Sequence, residues 1–249
     1  MKKLVLFATT FCAAAAMSAQ TSGQIPTNLS SGGSSFGGNA AQIQGLLGNI
    51  NEAQRKRTFE SDDFKGSPYT SDIFLPATMY YGDEKMGQLF YRYNALNEEI
   101  EIKIDNLPNE PIQALARDKQ IRVMTGKYPL SFKTFIDKTG KTMNGYLVTL
   151  ADEGDYKLFR RTRVKYTEGM KAQNSFVKAV PSKFTQFTEY FLQVEGIDRI
   201  DEIKNKNNAL ISRVKNEDKA SLKAFLKEKG LNIKNEEEFI IAVQHLNLN

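Results

Sequence analysis

Two carboxylates, Glu99 and Glu101, sit two residues apart in the run Glu99-Ile100-Glu101-Ile102-Lys103-Ile104. If the run is a strand, both lie on one face about 7 Å apart, which overlaps the separation used in acid–base hydrolysis of glycosides. The alternating isoleucines make the opposite face dry, so an ordinary solvated strand face explains the same two residues. The densest single-sign cluster is Arg160-Arg161-Thr162-Arg163-Val164-Lys165. On a strand, Arg161, Arg163 and Lys165 share a face and could grip phosphate or carboxylate on lipopolysaccharide or an anionic glycan. The same row also reads as an edge strand protected from aggregation by its charge. A third group, Tyr80, Tyr81, Phe90, Tyr91 and Tyr93, offers an aromatic platform for a sugar or peptide, with Tyr91 and Tyr93 as the binding candidates, or else a strand core.

Other chemistries lack their residues. His245 is the one imidazole and Cys12 the one thiol of 249 residues, which excludes a disulfide scaffold, a Cys/His zinc site and Cys- or Cys/His-based catalysis. His245 lies four residues from the chain end, in a predicted helical turn, where a Ser-His-Asp triad lacks a rigid surround. Asp62-Asp63 and Glu236-Glu237-Glu238 do not follow the calcium-loop pattern. The glycine-rich residues 32 to 38 follow no strand and carry no Lys-Ser pair, so they are no phosphate loop. No catalytic residue, metal or cofactor is expected.

The chain carries 34 Lys+Arg against 29 Asp+Glu. Lys2 and Lys3, the apolar stretch Leu4 to Ala16 and the small residues near Ala19 have the order of a secretory signal over residues 1–19, with cleavage near Ala19/Gln20. Cys12 follows Thr10-Phe11 rather than the small residues a lipoprotein peptidase needs, so it is expected to leave with the signal. Without Lys2 and Lys3 the balance is 32 basic to 29 acidic, a net +3. Export and this weak charge make nucleic acid a poor partner. Apolar residues beyond position 20 come in short patterns, so no transmembrane span is expected in the mature chain.

Residues 20–40 are rich in Ser, Gly, Asn and Gln and read as a flexible linker. Ile43, Leu46, Leu47 and Ile50 predict a short amphipathic helix over 41–57, weakened by Gly45 and Gly48 at roughly 1 kcal/mol each. From 58 to 196 the apolar period is two, with strands predicted at 78–81, 89–94, 99–104, 112–116, 121–124, 132–136, 145–151, 157–166 and 187–194. Gly, Asn and Asp between them supply turn chemistry. After 197 the period becomes helical, and three short helices are predicted up to 249, the last opened by Asn235 with Glu238 three residues on. The fold class is therefore α+β: a mostly antiparallel, curled or barrel-like β domain followed by a three-helix segment.

The runs Gly66-Ser67-Pro68-Tyr69, Phe74, Arg92-Tyr93-Asn94-Ala95 and Asn97-Glu98-Glu99-Ile100-Glu101, with the Lys-rich helical ending, resemble uncharacterised small secreted proteins of Bacteroidetes. The resemblance implies a periplasmic or outer-membrane-associated product and carries over no catalytic residue. The expected function is a non-catalytic binding or assembly component of the cell envelope, its partner an envelope protein or an anionic glycan such as lipopolysaccharide. The alternative is a carboxylate-based hydrolase acting on envelope polymer or glycan.

Overall fold

The computed structural model describes residues 43, 45–48, 64–172 and 178–248. The segments expected to be a signal and a linker, and most of the helix expected over 41–57, lie outside them. Among the described residues there are twelve strands: β1 (Leu47–Gly48), β2 (Phe64–Lys65), β3 (Leu75–Tyr81), β4 (Glu84–Asn94), β5 (Glu99–Lys103), β6 (Gln113–Leu115), β7 (Ile121–Thr125), β8 (Tyr128–Ile136), β9 (Thr142–Ala151), β10 (Tyr156–Thr167), β11 (Ser182–Val194) and β12 (Asp201–Ile203). Helices α1 (Asn207–Arg213), α2 (Asp218–Glu228) and α3 (Glu236–Asn247) follow. All nine predicted strands form. Their turns use the expected residues, with Gly82, Gly126, Gly140 and Gly154 at positive φ.

The sheet runs β1-β6-β5-β4-β3-β7-β8, then continues through β12, β11, β10 and β9, and β9 pairs with β8 again. Five strands thus close a circuit, β8-β9-β10-β11-β12. Its last join is a single parallel bridge, Asp201 to Ile136, supported by the Ile136 N–H donating to Ile200 O at 2.8 Å. One bridge is a weak seam, and β7 and β3 extend the sheet from β8, so the architecture is a curled mixed sheet with a ring at one side and not a clean barrel. The α+β, mostly β class is the one expected. Two joins are parallel, β2 with β11 and β12 with β8.

Alternation sends side chains into three cores. The open sheet buries Met79, Leu89, Ile100, Ile102, Ile121 and Val123 beneath Val164 and Phe184 of the outer β10–β11 ribbon. The ring interior holds Phe135, Leu147, Phe159 and Phe191, one each from β8 to β11. The helices cover the ring's outside, setting Leu210, Leu222, Phe239, Val243 and Leu246 on Leu158, Leu192 and Ile203. Each large side chain so buried contributes about 1.5–3 kcal/mol, which short helices need because they are marginal alone.

Tyr156 fastens the helices to the ring. Its hydroxyl donates to the Asp218 carboxylate and accepts from the Lys215 N–H at 2.9 Å. The Asn247 amide brackets its backbone, accepting from Tyr156 N–H at 2.9 Å and donating to Tyr156 O at 2.8 Å. A Cβ on Gly154 would come within 2.7 Å of Asn247, so glycine there makes the bracket possible. The Asn235 side chain caps α3 by accepting from Glu238 N–H at 2.9 Å, as expected; the Glu238 carboxylate accepts from Lys234 N–H rather than from the cap residue itself.

Three boundaries differ from expectation. Leu47–Gly48 is not helical but pairs with Leu115 and Ala114, because the cooperative cost of a helix carrying Gly45 and Gly48 exceeds that of adding two residues to an existing edge. Strand β2 has no alternation to reveal it in two residues. The sheet does not end at 196, since β12 lies within the segment predicted to be helical and seals the ring.

Candidate functional site

The predicted cationic row occupies β10, and its first member is not on the surface. Arg161 is 7% exposed, with its guanidinium 5.1 Å from the Phe135 ring centroid inside the ring. Register places Glu189 of β11 directly across from it. Glu98 reaches it from the β4–β5 turn. Arg161 donates from Nη2 to Glu98 Oε1 at 2.5 Å and from Nη1 to Glu189 Oε2 at 3.1 Å. Burial pulls the pKa of Arg161 down, but the hydrogen bond and charge of Glu98 outweigh it, so the net shift is upward. Glu98 adopts φ 53°, a left-handed conformation that costs an L-residue roughly 1–2 kcal/mol and that holds its carboxylate where Arg161 needs it. Gly145 leaves room for this: a Cβ there would stand 2.8 Å from Glu98 Oε2.

The other two members share little of this burial. Arg163 donates to Glu189 Oε1 at 2.6 Å and lies over the Phe187 ring at 4.6 Å, and Lys165 is exposed. Arg161, Arg163 and Lys165 are therefore not one free cationic strip; two arginines are matched by two glutamates and one lysine faces solvent. The edge-strand reading needs correcting too. Strand β10 pairs with β9 over Leu158–Arg160, and its edge opens only beyond, where the Val164 N–H donates to Ala95 O at 2.8 Å.

The aromatic candidates point inward. Tyr93 is 5% exposed, meets Tyr146 edge to face at 6.1 Å, and buries a hydroxyl with no hydrogen-bond partner; burial drives its pKa strongly upward. Tyr91 is half-buried against the same core. Neither forms an open platform, because the alternation that aligned them also aligned Leu89, which is fully buried.

Glu99 and Glu101 do share the outer face of β5, yet each has an arginine. Arg92 donates to Glu101 at 2.6 Å, Asn94 donates to it at 3.0 Å, and Arg117 lies 3.7 Å from Glu99. Burial, and then the charge of Glu101, push the Glu99 carboxyl above its ordinary value, while Arg117 opposes them. Arg92 is itself clamped between Tyr69 at 3.8 Å and Phe74 at 4.6 Å. Pro68 O accepts from the Ala95 and Leu96 N–H groups, and Tyr93 O accepts from Thr70 N–H. The runs at 66–74 and 92–101, far apart in sequence, thus form one polar knot.

His245 is half-buried, stacked on Phe225 of α2 at 3.8 Å, with Nε2 3.4 Å from Ser221 Oγ. Among the described residues no group of three His, Cys, Asp or Glu side chains could hold a metal ion, and no helix is long and apolar enough to cross a membrane. No family model, curated protein or solved structure matches the chain.

Two features escape sequence reading. Residues 185–189 of β11 have no strand beside them on the side away from β10 among the described residues, although β2 pairs with Ser182–Lys183 and β12 with Tyr190–Leu192. Arg122 of β7, beside the ring, and Lys133 and Lys157 of its inner face lie close enough for their charges to act on one another. Both depend on which strands become neighbours, and no local pattern encodes that.

Proposed function

We propose that this chain is an exported, non-catalytic binding or assembly component of the cell envelope that takes an extended segment of an envelope protein onto the outer part of β11. The observation that carries this reading is the gap in pairing at 185–189 among the described residues. Among the described residues it leaves a backbone ladder open to strand addition, with Phe187 37% exposed beside it as an apolar contact. Lys165 on the neighbouring strand, which faces solvent, favours a partner segment bearing an acidic side chain. The pairing of Glu99 with Arg117 and of Glu101 with Arg92 weighs against the hydrolase alternative, which needs carboxylates free to exchange protons with a substrate.

A photo-crosslinking residue at position 187, introduced in the native host, should give one discrete envelope-protein adduct, and Phe187→Asp should reduce retention on envelope fractions. Equal adducts from a control position on α2, such as Lys219, would overturn the assignment. The intact mass of the same protein should correspond to a start near Gln20 without lipid; a diacylated chain starting at Cys12 would overturn the localisation.

A further inference from the structure

The inner face of the ring carries a second set of charges, and this set is not balanced. Arg122 of β7 stands opposite Ser131 of β8, and Lys133 follows Ser131 on the same face. Lys133 Nζ lies 5.3 Å from the Phe159 ring centroid, and Lys157 precedes Phe159 by two residues on the same face of β10. Thr149 of β9 stands opposite Phe159. Three cations, with the buried side chains of Ser131 and Thr149, are thereby gathered at one end of the ring.

None of the three cations makes an ion pair among the described residues. Arg122 lies over Tyr80 at 5.0 Å, and its Nε is buried without a hydrogen-bond partner. Burial lowers the Lys133 pKa first, Lys157 and Arg122 lower it further, and Asp152 is the one carboxylate that acts on it in the opposite sense. Around Lys133 two cations act against one carboxylate beside a partly desolvated wall, an arrangement that costs free energy until an anion arrives, while Lys157 also borders a cavity with Asp155, Glu195 and Asp198.

We propose that Arg122, Lys133 and Lys157 form a binding site for a phosphate group. A phosphomonoester carries about −1.5 to −2 charges at neutral pH and three acceptor oxygens, one for each of the three cations, whereas one carboxylate offers a single charge and two oxygens. The arginine supplies directed N–H groups and the lysines supply mobile point charges. Free phosphate and a phosphate carried on a larger envelope molecule share this chemistry. The site is separate from the β11 edge and does not rest on its role.

The test is calorimetric titration of the mature protein with inorganic phosphate and with glucose 6-phosphate, against chloride at matched ionic strength. Saturable binding of either phosphate supports the site; binding of glucose 6-phosphate alone assigns it to a phosphoester, and binding of inorganic phosphate alone to the free ion. Lys133→Met and Arg122→Gln should each weaken binding by about tenfold, the loss of one charge-assisted contact. Lys157→Gln, at an exposed position that leaves the fold intact, should weaken it several-fold. Phe187→Asp should leave it unchanged. No saturation with either phosphate at millimolar concentrations, or undiminished affinity in Lys157→Gln together with folded Lys133→Met, overturns the proposal.

Discussion

At one end of the ring interior Arg161 meets two carboxylates, and at the other Arg122, Lys133 and Lys157 meet no carboxylate within ion-pair distance among the described residues. The same four aromatic and aliphatic side chains, Phe135, Leu147, Phe159 and Phe191, separate the two ends. The balanced end uses an arginine, whose planar fork serves Glu98 and Glu189 together. The unbalanced end relies on two lysines, whose flexible stems let charge stay near solvent. The difference teaches that a buried cation acts as a structural tie when the fold delivers its counter-charge from elsewhere. Left without one, the same residue type becomes a place for a ligand. Glu98 comes from a turn 63 residues away in sequence and accepts a strained φ to arrive.

Breaking the wall common to both ends should have the largest effect. Phe191→Ala empties the centre of the ring and should lower unfolding free energy by about 3–5 kcal/mol in urea titration, since a buried phenylalanine is lost with little chance of collapse. A loss under about 1 kcal/mol would mean that the single β12–β8 bridge lets the ring close in on the void.

The balanced end comes next. Arg161→Met should cost about 3 kcal/mol, because it leaves Glu98 partly buried without its cation and Glu189 with Arg163 alone. Adding Glu98→Gln to Arg161→Met should recover part of that loss, and a double-mutant cycle by chemical denaturation measures it. Additive losses instead would show that the pair is held apart by water and contributes no coupling.

At the unbalanced end the same kind of truncation should act with the opposite sign. Lys133→Met removes a half-buried charge and should raise stability at neutral pH by less than about 1 kcal/mol in the absence of phosphate. The pH dependence follows from the lowered pKa of Lys133. The unfolded chain holds this proton more tightly, so through the window below the ordinary lysine value of 10.5 the wild-type protein gains stability as pH rises. The advantage of Lys133→Met over wild type should therefore shrink towards zero as pH approaches and passes 10.5, read from unfolding curves of the two proteins side by side. A constant difference across that range would show that Lys133 titrates normally and that the two ends are less unlike than their geometry.

Much of this architecture was legible before any tertiary contact was known. Ile100 and Ile102 are fully buried and Glu99 and Glu101 are outside them, because a period of two leaves one face dry whatever the neighbouring strand is. Asn235 caps α3 because its short amide acts within three residues of itself. The candidate site was legible in composition but not in role. Arg161, Arg163 and Lys165 do lie along one strand face, yet that alternation cannot tell a solvent face from the inside of a closed ring. Tyr93 reads as a platform until Tyr146 arrives from another strand. Lys133 gave no signal, since one lysine among alternating residues is ordinary and Arg122 and Lys157 become its neighbours only through pairing.

What the residues by themselves determined was local: the strands, the turn glycines, the helical ending and the α+β class, all set by periodicity and by backbone preferences that act over a few positions. What the tertiary structure alone decided was partnership. It closed five strands through one bridge, gave Arg161 its two glutamates, withheld an ion-pair partner from Lys133, and left 185–189 of β11 without a neighbouring strand on one side among the described residues. The physical reason is that charge compensation and strand pairing depend on distances across space, and residues such as Glu98 and Arg161 become neighbours only when the whole sheet has curled.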